Sequence, residues 1–279
     1  MEKLLIIDGH NLLFQMFFGM PSRIIGKTGK PIQGVIGFIG ALGKLINMLS
    51  PTYVIAVFDG EKNNPRKEIS KEYKANRIDY SEVPEEENPF SQLDYIYRAL
   101  DYIGIKHAET TVCETDDVIA SYALKYASHM KVYISSFDSD YFQLINDNVS
   151  VIRYRGDSSV ICDVDYVKQR YGIEPRLYAD FKCLVGDNSD NIPGIRGIGP
   201  KTAAKIINEL GNIDNIIANV SGIENKKLAN AILGGIDILT KNRALIELNG
   251  EADMPFTPKD ARYDISPPRT MEIIRAIGL

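Results

Sequence analysis

The sequence predicts an α/β fold with a mostly parallel central sheet flanked by helices. Two observations carry that prediction. Three short apolar runs rich in β-branched residues, "LLIIDGHN" (4–11), "YVIAVFDG" (53–60) and "KVYISSFDSDYFQL" (131–144), read as strands buried on both faces. Between and before them, stretches with helical spacing at about 34–49, 90–103 and 116–128 supply the crossovers that parallel strands need. At 279 residues and 44% hydrophobic the chain can bury a sizeable core, and we expect an α/β body over 1–165 and a helical part over 166–279.

Taken in order, the first strand delivers Asp8 to its carboxyl end, where open parallel sheets hold their ligands. His10 stands alone and reads as structural. The following apolar stretch, 35–49, is broken by Lys44 and Asn47, which excludes a membrane span. Its glycines at 34, 37, 40 and 43 recur every three residues and predict close packing of a helix on the sheet. The second strand delivers Asp59. The acidic run "EVPEEE" (82–87) reads as a solvated loop.

In "VCETDDVIASYALKYA" (112–127), Val118, Ile119, Tyr122, Ala123 and Tyr126 share one helical face, so Glu114, Asp116 and Asp117 crowd the first turn. Capping accounts for one acid there. It does not account for three, because neighbouring carboxylates resist joint ionisation unless a cation neutralises them. The third strand adds Asp138 and Asp140. Strand-end acids with no accompanying His or Cys pattern favour Mg²⁺ or Mn²⁺ over zinc.

The segment "LVGDNSDNIPGIRGIGPKTAAKII" (184–207) adds Asp187 and Asp190, whose spacing allows one helical face. Gly194, Gly197 and Gly199 then lead into an apolar helix. A phosphate-binding P-loop is excluded, because Pro200 separates the last glycine from Lys201 and no strand precedes the loop. The segment reads as a helix, a tight glycine hairpin and a second helix. Its backbone N–H groups can approach a nucleic-acid phosphate, with Lys201 and Lys205 nearby. Beyond about 250 the chain is proline-rich, with one short helix from about Arg269.

The segments "IDGHN", "VFDG", "YKANR" (73–77), "ETDDVIA", "FDSDYFQL" and "GDNSDNIPGIRGIGPKTA" together resemble the 5′ nuclease family, the flap endonucleases and 5′-3′ exonucleases related to the N-terminal domain of bacterial DNA polymerase I. The resemblance implies a PIN-like α/β core with a helical arch at about 60–95 and a helix-hairpin-helix at about 184–212. It implies a metal-binding set of Asp8, Asp59, Glu114, Asp116, Asp117, Asp138, Asp140, Asp187 and Asp190. Lys74, Arg66 and Arg77 would act on the phosphate from the arch. Tyr73, Gly194, Gly197, Gly199, Lys201, Thr202 and Lys205 would contact DNA, and hairpin carbonyls can hold K⁺. The chain departs from the family pattern at Pro65, Cys113, Thr115, Phe137 and Ser139.

Two Mg²⁺ or Mn²⁺ ions roughly 4 Å apart can activate a water and hold the scissile phosphate. The first is expected near Asp8, Asp59, Glu114 and Asp116, the second near Asp117, Asp140, Asp187 and Asp190, with Asp138 between them. The expected partner is DNA with 5′ flaps, nicks or free 5′ ends, the RNA strand of primers being a further candidate. The protein is expected to be a monomer without membrane contact. A net charge of −5 fits such a partner once the nine proposed ligands are set aside, because the remainder is mildly basic. Cys113, Cys162 and Cys183 show no metal or disulfide spacing and point to a reducing cytoplasm. Two rival readings are a PIN-type ribonuclease and a non-catalytic binder of branched DNA.

Overall fold

The computed structural model describes every residue except 28, 61–64 and 267–268. Six strands, β1 (Lys3–Asp8), β2 (Tyr53–Phe58), β3 (Lys106–Glu109), β4 (Lys131–Ser135), β5 (Val149–Arg153) and β6 (Val160–Cys162), form one sheet in the order β3-β2-β1-β4-β5-β6. Its pairs are parallel except β5 with β6, so the mostly parallel sheet expected from the apolar runs is present.

Around and after the sheet lie α1 (Gly9–Gly19), α2 (Gln33–Leu49), α3 (Pro65–Ile69), α4 (Leu93–Tyr102), α5 (Thr115–Tyr126) and α6 (Val164–Tyr171). The C-terminal part is helical: α7 (Tyr178–Val185), α8 (Pro200–Leu210), α9 (Ile213–Ala218), α10 (Lys226–Leu233), α11 (Ile236–Ile246) and α12 (Thr270–Ala276). A two-residue pair, β7 (Gly186–Asp187) with β8 (Ile192–Pro193), interrupts it after α7.

Alternation along the central strands builds two cores. Leu5, Ile7, Val54 and Phe58 face a layer made with α1, α2, α4 and α12. Leu4, Ile6, Ile55 and Val57 face the layer holding α5 and helices α7 to α11. Burying each such side chain stabilises the fold by about 1.5–3 kcal/mol, which is why the central strands tolerate no polar residue before their ends.

Three expectations change. Gly34 and Gly37 of α2 serve the neighbouring helix α1 rather than the sheet, since a Cβ at Gly37 would lie 2.8 Å from the Met16 side chain, whereas Gly40 and Gly43 are not crowded. The acidic run at 82–87 is not only solvated: Glu85 pairs with Lys30, and Glu86 with Arg23 at 3.2 Å. The expected arch falls partly on 61–64, outside the described residues. From Pro65 to Gln92 the chain forms α3 followed by turns and short 3₁₀ segments in place of long helices.

Candidate active site

Acids stand at or just after the carboxyl ends of β1, β2 and β4. Asp8 closes β1 and caps α1, accepting from the Asn11 amide at 3.2 Å and the Ser136 hydroxyl at 2.8 Å. Burial, and next the charge of Asp59, push its carboxyl up to about 7. Asp59 follows β2, accepts from the Thr115 amide at 2.9 Å and lies 3.7 Å from His10 Nδ1.

The acids at the head of α5 are not caps. Glu114 occupies the N-cap position, yet its side chain caps nothing; it accepts from Lys74 Nζ at 2.6 Å, Arg66 Nη1 at 2.7 Å and the Tyr73 hydroxyl at 3.1 Å. Asp116 accepts from the Tyr141 hydroxyl at 2.6 Å, and burial pushes it well above the ordinary carboxylate range, although Lys74 pulls the other way. Asp117 turns aside. It takes both ends of the Arg66 fork, at 2.8 and 2.9 Å, and the Asn249 amide at 2.9 Å.

A second group forms beyond β4. Asp140, Asp187 and Asp190 bring oxygens within 4.8 Å of one another. The ammonium of Lys182, on α7, bridges Asp140 and Asp187, while Arg77 pairs with Asp190 at 2.8 Å. Burial pushes Asp140 up to about 7 despite that ammonium. Asp138 stands half-buried in the loop after β4 and accepts from the Asp140 amide at 2.8 Å. Lys74 links the groups, lying 4.0 Å from both Asp116 and Asp190.

The segment bearing Lys74 is stapled to the loop bearing Asp190. The Lys74 amide donates to the Asp190 carbonyl at 3.0 Å, Asn76 to the Asn188 carbonyl at 3.0 Å, and Asn191 to the Glu72 carbonyl at 2.8 Å.

Several sequence expectations need correction. Asp117 belongs with Arg66 and not with Asp140, Asp187 and Asp190. Arg66 is itself buried in that pairing rather than presented to a phosphate. Tyr73 is only 3% exposed, and its hydroxyl donates to Glu114. Asp187 and Asp190 do not share a helical face, because Gly186, at φ +80, ends α7 and starts the β7 strand. Lys182 was missed. A lysine 4% exposed amid Phe181, Cys183 and Leu184 must be paired, and that apolar setting five residues before Asp187 was the available signal.

At the hairpin the tight point is Gly194, where a Cβ would lie 2.3 Å from the carbonyl carbon of Val185. Gly197 needs its φ of +90. Gly199 has open space and an extended φ of −94, so neither crowding nor backbone conformation demands glycine there. Ile195 and Ile198 anchor the loop from beneath, while Gly197, Gly199, Lys201 and Lys205 face solvent and Thr202 is half-buried. Cys162 and Cys183 are buried and Cys113 is half-buried; all three are free thiols. Among the described residues no helix is long and apolar enough to cross a membrane.

Converging carboxylates at the carboxyl ends of a parallel sheet, beside an exposed glycine hairpin, are an arrangement that suits the metal-assisted phosphodiester chemistry of the nucleases. The family model for the 5′-3′ exonuclease N-terminal resolvase-like domain matches residues 3–172, and that for the 5′-3′ exonuclease C-terminal SAM fold matches 173–269. The chain belongs to the 5′-3′ exonuclease family. It is 32% identical over 280 residues to the 5′-3′ exonuclease of Bacillus subtilis, covering 98% of this chain and 92% of that one. It is also 32% identical over 256 residues to the thermostable DNA polymerase I of Thermus thermophilus, covering 91% of this chain but only 29% of the polymerase. Among solved structures, the T5 D15 protein co-crystallized with metal ions superposes with a TM-score of 0.72 at 25% identity, over 89% of this chain and 90% of that one.

Proposed function

We propose that this chain is a structure-selective, divalent-metal-dependent 5′ nuclease that hydrolyses phosphodiester bonds in DNA, as a 5′-3′ exonuclease and flap endonuclease. The observation that carries the reading is the convergence of Asp8, Asp59, Glu114, Asp116, Asp138, Asp140, Asp187 and Asp190, with the ammonium groups of Lys74 and Lys182 drawn in among them. Ammonium ions standing between crowded carboxylates are what an oxygen-rich cation site holds when it must be neutralised from within. The residues therefore fit hard divalent cations, and Mg²⁺ or Mn²⁺ is the choice the donor set favours. Asp8, Asp59, Asp116 and Glu114 would hold one ion and Asp140, Asp187 and Asp190 the other, Asp138 lying between. When bound, such ions supply Lewis acidity and a water ionised near neutral pH.

The chain's own groups do the rest. Lys74 is positioned between both acid groups, so once released from Glu114 it can donate to a phosphate oxygen and stabilise developing charge. Arg77, half-exposed beside Asp190, can do the same from the entry side. The uncapped N-terminus of α8, with Lys201 and Lys205, offers backbone N–H groups and positive charge to the phosphates of a duplex arm. Hairpin carbonyls are candidates for a K⁺ ion. Contacts of this type read backbone shape and not sequence, which suits flaps, nicks and free 5′ ends. We further propose a division at 165/166 and action as a monomer in the cytoplasm, with the RNA strand of primers as an additional substrate.

Cleavage of 5′-labelled flap, nicked and single-stranded DNA, with and without Mg²⁺, tests this. Metal-dependent release of short 5′ products supports it; binding without turnover, or cleavage confined to RNA, overturns it.

A further inference from the structure

We propose that Tyr141 is a positioning residue, whose hydroxyl aims the Asp116 carboxylate beside Asp8 so that a divalent cation meets both already in place. This rests on the nuclease reading and adds to it a residue that acts through two carboxylates.

The Tyr141 ring is fully buried, and burial pushes its hydroxyl far above the ordinary range, so the group stays a donor. That hydroxyl lies 2.6 Å from Asp116 Oδ1 and 3.4 Å from Asp8 Oδ2. A phenol has one proton to give, and it goes to the nearer oxygen. It is the one hydrogen bond that the Asp116 side chain accepts among the described residues. The other oxygen, Oδ2, faces Lys74 Nζ at 4.0 Å. Tyr141 therefore holds the inner edge of Asp116 and leaves the outer edge to a cation.

Asp8 is fixed independently, by the Ser136 hydroxyl at 2.8 Å and the Asn11 amide at 3.2 Å, so Asp116 is the carboxylate that depends on Tyr141. The need is local. Asp116 sits in the first turn of α5, where free backbone N–H groups and the helix dipole draw a short carboxylate back onto the helix. The phenol supplies the competing donor.

The chain places that donor economically. Asp140 and Tyr141 open a short 3₁₀ segment, Asp140–Leu144. Asp140 turns toward Lys182, Asp187 and Asp190, while Tyr141 turns toward Asp116 and Asp8. One turn thus carries a carboxylate of one acid group and the strut of the other.

Tyr141→Phe removes the hydroxyl and keeps the ring. With Mn²⁺ alone as the probe, and free ion counted by its paramagnetic resonance signal, the dissociation constant should rise roughly tenfold, the usual cost of losing a hydrogen bond to a ligating group. Single-turnover cleavage of a 5′ flap should then need correspondingly more Mg²⁺ and regain most of its maximal rate at saturation. Tyr122→Phe removes an equally buried hydroxyl, one that donates to the Phe256 carbonyl at 2.7 Å; it should lower the melting temperature and leave Mn²⁺ affinity unchanged. In an Asp116→Asn background the charge to be aimed is gone, and Tyr141→Phe should change Mn²⁺ affinity far less. Unchanged Mn²⁺ affinity in Tyr141→Phe, an equal loss in both backgrounds, or a lowered maximal rate at unchanged affinity overturns the proposal. In the unaltered protein, Mg²⁺ should shift the ¹³Cζ resonance of a buried tyrosine, and a spectrum without such a shift overturns the proposal even if the variant does not fold. If no flap is cut at all the nuclease reading falls, and the Mn²⁺ measurement still decides this one.

Discussion

In the acidic cluster nearly every side chain is already engaged: Glu114 takes three donors, Asp117 the Arg66 fork, Asp140 and Asp187 a shared ammonium. At the glycine hairpin Gly197, Gly199, Lys201 and Lys205 stand in solvent with buried isoleucines beneath them. On the proposed function, the cluster would exchange internal cations for external ones before acting, while the hairpin would meet phosphate with little rearrangement. Damage to the first should appear in turnover and in metal-dependent stability. Damage to the second should appear in affinity and salt dependence.

The largest expected effect is loss of cleavage in Asp138→Asn. An asparagine oxygen still accepts from the Asp140 amide, so the fold and flap-DNA binding should survive while turnover disappears. Near-wild-type turnover would remove Asp138 from the mechanism. Next, Lys74→Ala should lower the single-turnover rate by roughly 10² with little change in duplex affinity. Because it strips a buried cation from three carboxylates, its melting temperature without metal should drop and be largely restored by Mg²⁺. A loss of affinity alone would move Lys74 from catalysis to binding.

Smaller effects divide the hairpin itself. Gly194→Ala should cost about 1–3 kcal/mol in denaturant unfolding, because backbone stands where its Cβ would go. Gly199→Val meets open space and should melt like wild type, yet weaken binding to substrates with a long duplex arm. Equal loss on duplex-bearing and short single-stranded substrates would make the hairpin structural only. Smallest of all, Lys201→Ala and Lys205→Ala should each reduce the slope of log affinity against log salt by about one unit.

The acidic cluster was legible because three apolar runs close on an aspartate and a Glu-x-Asp-Asp helix start joins them, although a single Asp-Gly strand end is also ordinary turn chemistry. Direction was not legible. Asp116 and Asp117 are neighbours, but successive helical residues point about 100° apart, so one faces the cluster and the other faces Arg66. Tyr73 and Lys74 show the same limit: both reach Glu114, and only burial reveals that the tyrosine is consumed by it. Asp187 and Asp190 were correctly grouped with Asp140 for a wrong reason, since a turn after Gly186 brings them together and not a helical face.

The staples joining Glu72, Lys74 and Asn76 to Asn188, Asp190 and Asn191 have a consequence for how the protein is made. Ribosomes add roughly 5–20 residues per second, so the two stapled segments emerge on the order of ten seconds apart. During that interval the sheet can form and present its first acids, but Lys182, Asp187 and Asp190 do not yet exist and Lys74 has no loop to hold it. A nascent chain therefore lacks half of the proposed centre, which is complete only when its late segment folds back onto its early one.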